Sequence, residues 1–147
     1  MSIEMFVLSD RKLASIAEWQ QAIDQEGFDL RLDTSRPFDQ LTGYLPAKRG
    51  EHEAGFECDH WDPADILDEE YIEPVDFGPH RWTQALAFRI GGNFFELWGS
   101  SAAAAAYARA TGGVVFDGES DEIMQPDRAA EAARQCEGYL KEHGLKE

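Results

Sequence analysis

The stretch from Glu51 to Asp76 holds the side chains best suited to chemistry, because it contains 11 carboxylates and neither Lys nor Arg. Carboxylates at this density attract cations and basic surfaces, while water and salt reduce the repulsion among them. Large apolar residues in and beside the stretch predict a folded negative face rather than a disordered tail. The carboxylates are Glu51, Glu53, Glu57, Asp59, Asp62, Asp65, Asp68, Glu69, Glu70, Glu73 and Asp76, and the apolar residues are Phe56, Trp61, Ile66, Leu67, Tyr71, Ile72 and Phe77.

Part of this segment is predicted to form a docking surface for a positively charged partner. Negative patches steer association and raise association rate constants above the ~10⁵–10⁶ M⁻¹s⁻¹ of neutral pairs. Aromatic side chains supply the desolvated contacts that affinity requires, and we expect Trp61 and Tyr71 to fill pockets on the partner. The predicted partner surface consists of Glu57, Asp59, Trp61, Asp62, Asp65, Asp68, Glu69, Glu70 and Tyr71.

A metal site is the alternative interpretation of the same segment. His52, Cys58 and His60 lie close together in the sequence, and His80 follows further along. On a strand, Cys58 and His60 point to the same face, and zinc prefers nitrogen and sulfur ligands. A small metal-dependent hydrolase would use these residues. Because the segment has no recognised ligand spacing, the favoured interpretation has no metal, no cofactor and no catalytic residue.

The bulk composition disfavours several classes of partner. The chain has 147 residues, 13 basic and 29 acidic side chains, and a formal net charge of −16. This balance repels nucleic-acid phosphates and anionic lipids, and no stretch approaches the ~18 apolar residues of a membrane span. The N-terminus has no signal-peptide pattern, and the two distant cysteines, Cys58 and Cys136, are expected to stay reduced. We therefore expect a cytoplasmic protein without membrane or nucleic-acid partners.

The elements that must position these residues follow from hydrophobic periodicity and turn residues. Their order predicts a single α+β domain over residues 1–147, with helices on one face of an antiparallel sheet. It fits a ferredoxin-like βαββαβ order with an inserted hairpin, a C-terminal helix, and an insertion at about 34–80 that carries the acidic face. The alternative is an unrelated α+β domain whose hairpin extends the same sheet. Strands are predicted at 4–9, 28–33, 41–47, 53–60, 81–90, 114–117 and 122–124, and helices at 11–25, 64–71, 102–111 and 126–143.

Capping residues predict where two of these helices begin and where one ends. Ser9 or Asp10 offers an N-cap oxygen to the first helix. The pair Ser100–Ser101 is predicted to begin the alanine-rich helix, and residues 94–98 are left open as the alternative first turn of a helix. Gly112 is suited to the left-handed residue that follows the last turn of the alanine-rich helix. The same alanines predict a helix that lies close against the sheet, because alanine combines high helix propensity with small volume.

Three strings of the sequence resemble small bacterial proteins, some of which are similar to immunity proteins of polymorphic toxin systems. The strings are Gly43–Pro46, Ala54–Glu57 and Ala108–Asp117, the last followed by a helix that begins with proline. The resemblance covers residues from about 40 to 135 and carries over no functional residue, because the strings are typical of turns, a helix end and a strand. It implies a non-enzymatic protein that neutralises a basic cognate toxin by electrostatic docking. A homo-oligomeric structural module is a third possibility.

Overall fold

The computed structural model describes residues 3–64, 82–91, 93–120 and 122–142, and these form an α+β fold. The strands are β1 (Ile3–Ser9), β2 (Arg31–Leu32), β3 (Tyr44–Leu45), β4 (Ala47–Arg49), β5 (His52–Glu53), β6 (Phe56–Trp61), β7 (Gln84–Ile90), β8 (Val114–Asp117) and β9 (Glu122–Met124). Six of them form an antiparallel sheet in the order β3-β6-β7-β1-β8-β9. The other three form a small sheet in the order β2-β4-β5.

The described helices cover one face of the large sheet. They are α1 (Ile16–Glu26), α2 (Phe94–Thr111) and α3 (Pro126–Glu142), and a short 3-10 turn spans Phe38–Gln40. Side chains of the sheet such as Val7, Phe88 and Val115 share one hydrophobic core with the helices. The predicted class, an antiparallel sheet with helices on one face, is confirmed. None of the described helices has the length and apolar character needed to cross a membrane.

Helix α2 lies at the centre of this core. All residues from Ala102 to Ala108 are buried, and the helix packs against α1, α3 and the strands of the large sheet. A helix that is apolar all round must be enclosed in this way. At Gly99 a side chain would collide with the carbonyl oxygen of Ala54, so the helix and the β5–β6 connection approach each other at van der Waals distance. Small residues thus set the distance between this helix and its neighbours.

The central strands of the large sheet form two interleaved β-α-β units. β1 and β6 are both antiparallel to β7, which lies between them, and their connection contains α1. β7 and β8 are both antiparallel to β1, and α2 connects them. This is the predicted βαββαβ order, but the prediction of 28–33 as its second strand is wrong. Only Arg31–Leu32 forms a strand there, and it belongs to the small sheet. The prediction failed because alternating polarity identifies a half-buried strand without identifying the strand that pairs with it.

The predicted hairpin is present, and it spans both sheets. Its outer part pairs β3 with β6, its inner part pairs β4 with β5, and Pro46 separates the two parts. The first strand of this hairpin was predicted to end at residue 47. However, Lys48 and Arg49 belong to β4, and the turn lies at Gly50–Glu51. Gly50 has φ +59°, a left-handed conformation that glycine adopts without steric cost.

Helix α1 begins later than predicted. Its N-cap is Ser15 rather than Ser9 or Asp10, and the Ser15 hydroxyl accepts a hydrogen bond from the amide of Glu18 at 3.0 Å. The carboxylate of Glu18 in turn accepts one from the amide of Ala14 at 2.7 Å. The Ser-x-x-Glu sequence is that of a capping box, although Glu18 accepts from the amide of Ala14 rather than from that of the N-cap residue Ser15. It outweighs the earlier cap candidates because it satisfies two amides at once.

Helix α2 begins earlier than predicted. Asn93 is its N-cap, and the side-chain oxygen of Asn93 accepts hydrogen bonds from the amides of Phe95 and Glu96. Ser100 therefore lies inside the helix, where its hydroxyl donates to the carbonyl of Leu97. The predicted helix end is confirmed, since Gly112 has φ +70° and its amide donates to the last turn.

The second face of the large sheet, opposite the helices, carries a smaller hydrophobic cluster. Its buried members are Phe6, Leu8, Ala85, Ala87, Val114 and Phe116. Trp61, Trp82 and Ile123 are partly buried and pack against them. This cluster fixes the environment of Trp61, the aromatic residue of the predicted docking surface that the structure describes.

Candidate functional site

Strand β6 presents the described part of the predicted partner surface. Phe56 and Cys58 are buried in the helix-side core, and His60 packs there against Phe38. Because side chains alternate along a strand, Glu57, Asp59 and Trp61 project from the second face. Alternate residues of β6 thus either pack in the helix-side core or project from the second face, where they can contact a partner.

Glu57 is exposed and lies beside one basic residue of the chain. In the register of the sheet, Arg89 on β7 is directly opposite Glu57 on one side and Glu4 on the other. Residues in direct register have Cβ atoms about 5 Å apart, and opposite charges at that spacing attract each other. Two carboxylates flank a single guanidinium, so this row of the sheet keeps a net negative charge.

The carboxylate of Asp59 has an internal role. It accepts hydrogen bonds from the hydroxyl of Thr42 and, at 3.0 Å, from the amide of Gly43. The amide of Cys58 donates to the carbonyl of Gly43 at 2.9 Å, so both contacts hold the chain before β3 against β6. Asp59 therefore contributes charge to the surface while its oxygens serve the fold.

Trp61 and Asp62 end the strand. The ring of Trp61 packs on Phe6 with centroids 5.5 Å apart, and the side chain is half-buried. Asp62 is exposed, and its carboxylate accepts a hydrogen bond from the amide of Ala64 at 3.0 Å. Half-burial leaves part of the Trp61 ring accessible beside an exposed charge. The predicted helix at 64–71, apart from Ala64, and the other five surface residues, Asp65, Asp68, Glu69, Glu70 and Tyr71, lie outside the described residues.

The residues of the alternative metal site have separate surroundings. The ring of His52 stacks on Phe95 with centroids 4.5 Å apart, and His60 Nε2 lies 2.8 Å from the carbonyl oxygen of Phe38. Cys58 is fully buried, and burial raises the pKa of its thiol well above the ordinary range. His80 is not among the described residues. Within the part of the chain that the structure describes, no group of three or more His, Cys, Asp and Glu side chains could hold a metal ion.

Most Lys and Arg side chains in the described ranges contact carboxylates of the same chain. The pairs are Arg11–Glu18, Lys12–Asp39, Arg36–Asp33, Lys48–Glu53, Arg49–Glu137, Arg109 with Glu26 and Asp127, Arg128 with Glu122 and Glu131, Arg134–Glu26 and Lys141–Glu137. No Lys or Arg of these ranges forms an ion pair with Glu51, Glu57 or Asp62, which are all exposed. The surplus carboxylates thus face solvent.

One of these pairs is buried, although no motif in the sequence predicts it. Arg49 is only 6% exposed, and its Nη1 lies 2.7 Å from a carboxylate oxygen of Glu137 on α3. Its guanidinium also lies over the ring of Trp98 on α2, 4.8 Å from the centroid. This contact, here called the Arg49 clamp, joins the β4–β5 hairpin to both helices. The local signal is that Arg49 lies two residues after the buried Ala47, on the same face of β4.

Comparisons of this chain with protein-family models, with curated proteins and with solved structures found no match. The charge and geometry of the described residues are therefore the basis for a functional assignment.

Proposed function

We propose that the chain is a cytoplasmic, non-enzymatic binding protein that docks through a negative face onto a basic surface of a protein partner. The observation that supports this most is the surplus of exposed carboxylates in and beside β6. The chain's own Lys and Arg are largely paired elsewhere, and the chain as a whole carries a net charge of −16. Glu57 and Asp62 are the described carboxylates of that face whose charges are most available.

A cognate toxin with a basic active site is the partner class that we propose. Carboxylates would occupy the positions that phosphates take in such a site, and the accessible part of Trp61 would enter a pocket beside it. A charge-complementary pair associates at up to ~10⁸–10⁹ M⁻¹s⁻¹ at low salt, and this fast capture suits a protein that must block a toxin before it acts.

The proposal is tested by capture from a lysate of the native host at ~0.1 M and ~1 M salt, followed by rate measurements with the recovered partner. At ~1 M salt the screening length is about 3 Å, so an electrostatic complex is expected to dissociate. The double variant Glu57→Gln/Asp62→Asn should associate more slowly than the wild type. Asp24→Asn/Asp29→Asn removes the same charge from exposed positions at and after the end of α1, and serves as the matched control.

Retention of the partner without loss at ~1 M salt would count against electrostatic docking. Equal association rates for both double variants would place the contact elsewhere on the molecule.

A further inference from the structure

The hairpin end of the molecule carries exposed aromatic side chains. Among the described residues, the large hydrophobic side chains that are exposed are Tyr44, at 45%, and Tyr139, at 43%. Exposed tyrosines are common in binding surfaces because they bury much area while losing few rotamers. Tyr44 belongs to β3 and Tyr139 to the end of α3, so different elements present them.

Stacked rings join the β4–β5 hairpin to α2, and α2 to α3. Tyr139 stacks on Phe94 with centroids 4.4 Å apart, and the adjacent Phe95 stacks on His52 at 4.5 Å. The phenol of Tyr44 lies against Gly55. Its partial burial, followed by the charges of Glu53 and Glu96, the residues that follow His52 and Phe95, raises the pKa of Tyr44. We call Tyr44, His52, Phe94, Phe95 and Tyr139 the aromatic strip.

The elements under the aromatic strip are locked together. The Arg49 clamp ties the hairpin that carries His52 to α2 and α3, which carry the two phenylalanines and Tyr139. The close approach of Gly99 to Ala54 fixes α2 against the start of β6. A surface held in place before binding loses little conformational entropy on association, which favours affinity.

The charges around the aromatic strip determine which partner it suits. Glu51 and Glu53 border it on the hairpin, Glu96 on α2 and Glu142 on α3. The nearby Lys48 and Lys141 already contact Glu53 and Glu137, at 3.8 and 3.9 Å. A second copy of the chain is a poor partner because both copies carry a net charge of −16. Charge complementarity therefore favours a basic segment of another protein.

We infer that the aromatic strip binds an arginine-bearing segment of the protein partner. A guanidinium stacks on aromatic faces and pairs with carboxylates at the same time, whereas an ammonium group is a strongly hydrated point charge. Tyr139 and Tyr44 supply the faces, and Glu51, Glu96 and Glu142 supply the counter-charges. The inference rests on the proposed function in assuming a basic partner, but it names a surface that extends from Tyr44, which is opposite Glu57 of β6 in register, to α2 and α3.

The test is an NMR titration of isotope-labelled protein at low salt with two unstructured peptides. One peptide alternates arginine with glycine, and the other replaces each arginine with lysine. The arginine peptide should shift the resonances of Tyr44, Phe95 and Tyr139 and bind more tightly than the lysine peptide. Tyr139→Ala should weaken its binding about two- to five-fold, as expected for one exposed cation–π contact. Tyr139→Phe keeps the ring and should bind like the wild type, and thermal melts show that both variants are folded.

The outcomes separate this inference from the proposed function. Shifts confined to β6, with no effect of Tyr139→Ala, would overturn the aromatic strip and leave the proposed function standing. Equal affinity for the two peptides would overturn the arginine specificity. If neither peptide binds at low salt, the aromatic strip is wrong, while the proposed function is decided separately by capture of the host partner at the two salt concentrations.

Discussion

Glu137 on α3 and Glu57 on β6 each lie beside an arginine, yet their burial gives them different roles. The side chains of Arg49 and Glu137 are 7% and 19% exposed and touch at 2.7 Å, whereas Glu57 and Arg89 are both exposed on neighbouring strands. A buried charge must keep its partner, while water and salt screen an exposed one. Burial, rather than the density of carboxylates in the sequence, therefore decides which acids are available to a partner.

The largest effect expected from this comparison follows from breaking the Arg49 clamp. Glu137→Gln leaves a buried guanidinium without its counter-charge, so the free energy of unfolding should fall by about 3–5 kcal/mol. Glu131→Gln on the same helix affects a carboxylate that is 64% exposed and 3.7 Å from Arg128. This substitution should change the free energy of unfolding by less than about 1 kcal/mol. Urea denaturation of the two variants measures the difference.

A second change sharpens this test. Within the described residues, Arg49 Nε and Trp98 Nε1 have no hydrogen-bond partner, so the clamp is incompletely satisfied. The double variant Arg49→Met/Glu137→Leu should therefore recover most of the stability that Glu137→Gln loses. A double variant as unstable as the single one would contradict an ionic origin of the loss.

The buried side chain of Tyr107 should make the stability of the protein depend on pH in the alkaline range. Burial raises the pKa of Tyr107 to about 12, from an ordinary value of 10.0. Between these values the folded chain keeps a proton that the unfolded chain releases. The contribution of Tyr107 to the free energy of unfolding should therefore be intact below pH 10 and fall by roughly 2–3 kcal/mol as the pH approaches 12. Urea titrations at several pH values should show a shallower decline for Tyr107→Phe than for the wild type.

Within β6 itself, the same comparison separates Asp59 from Glu57. Asp59→Ala removes the acceptor for Thr42 and Gly43, and should lower the free energy of unfolding by about 1–2 kcal/mol. Thermal or urea melts provide the measurement. A loss below about 0.5 kcal/mol would show that these hydrogen bonds do not hold β3 in place.

The smallest effect on stability is expected for Glu57→Gln. Its exposed carboxylate lies beside Arg89 in register, and exposed pairs contribute about 0–1 kcal/mol. Stability should therefore change by less than about 0.5 kcal/mol, while association with a basic partner slows. Parallel urea melts and stopped-flow rates measure both. A clear loss of stability with unchanged association would make Glu57 a residue of the fold.

Local signals in the sequence predicted the elements better than their partners. The strand at β6, the hairpin and the stop of α2 at Gly112 follow from residues near one another in the chain. The Ser15–Glu18 capping box was also present in the sequence, and its neglect misplaced the start of α1. In contrast, the identity of the second central strand depends on pairing between distant segments. Alternation within a segment carries no information about such pairing.

The candidate site shows the same limit. Charge counts identified a negative segment, but they did not reveal that Asp59 is used by the fold or that Trp61 rests on Phe6. The contact between Arg49 and Glu137 joins residues 88 positions apart, and no spacing rule predicts it. The stacked pairs His52–Phe95 and Phe94–Tyr139 likewise join the β4–β5 hairpin, α2 and α3, which only the tertiary structure brings together.

The most direct test of the central claim compares capture of a host protein by the wild-type chain and by Glu57→Gln/Asp62→Asn. The account predicts one basic partner that is held by the wild type at ~0.1 M salt, released near 1 M salt and captured less well by the double variant. Asp24→Asn/Asp29→Asn should behave like the wild type. Equal capture by all three proteins, unchanged at ~1 M salt, would contradict docking through the negative face of β6.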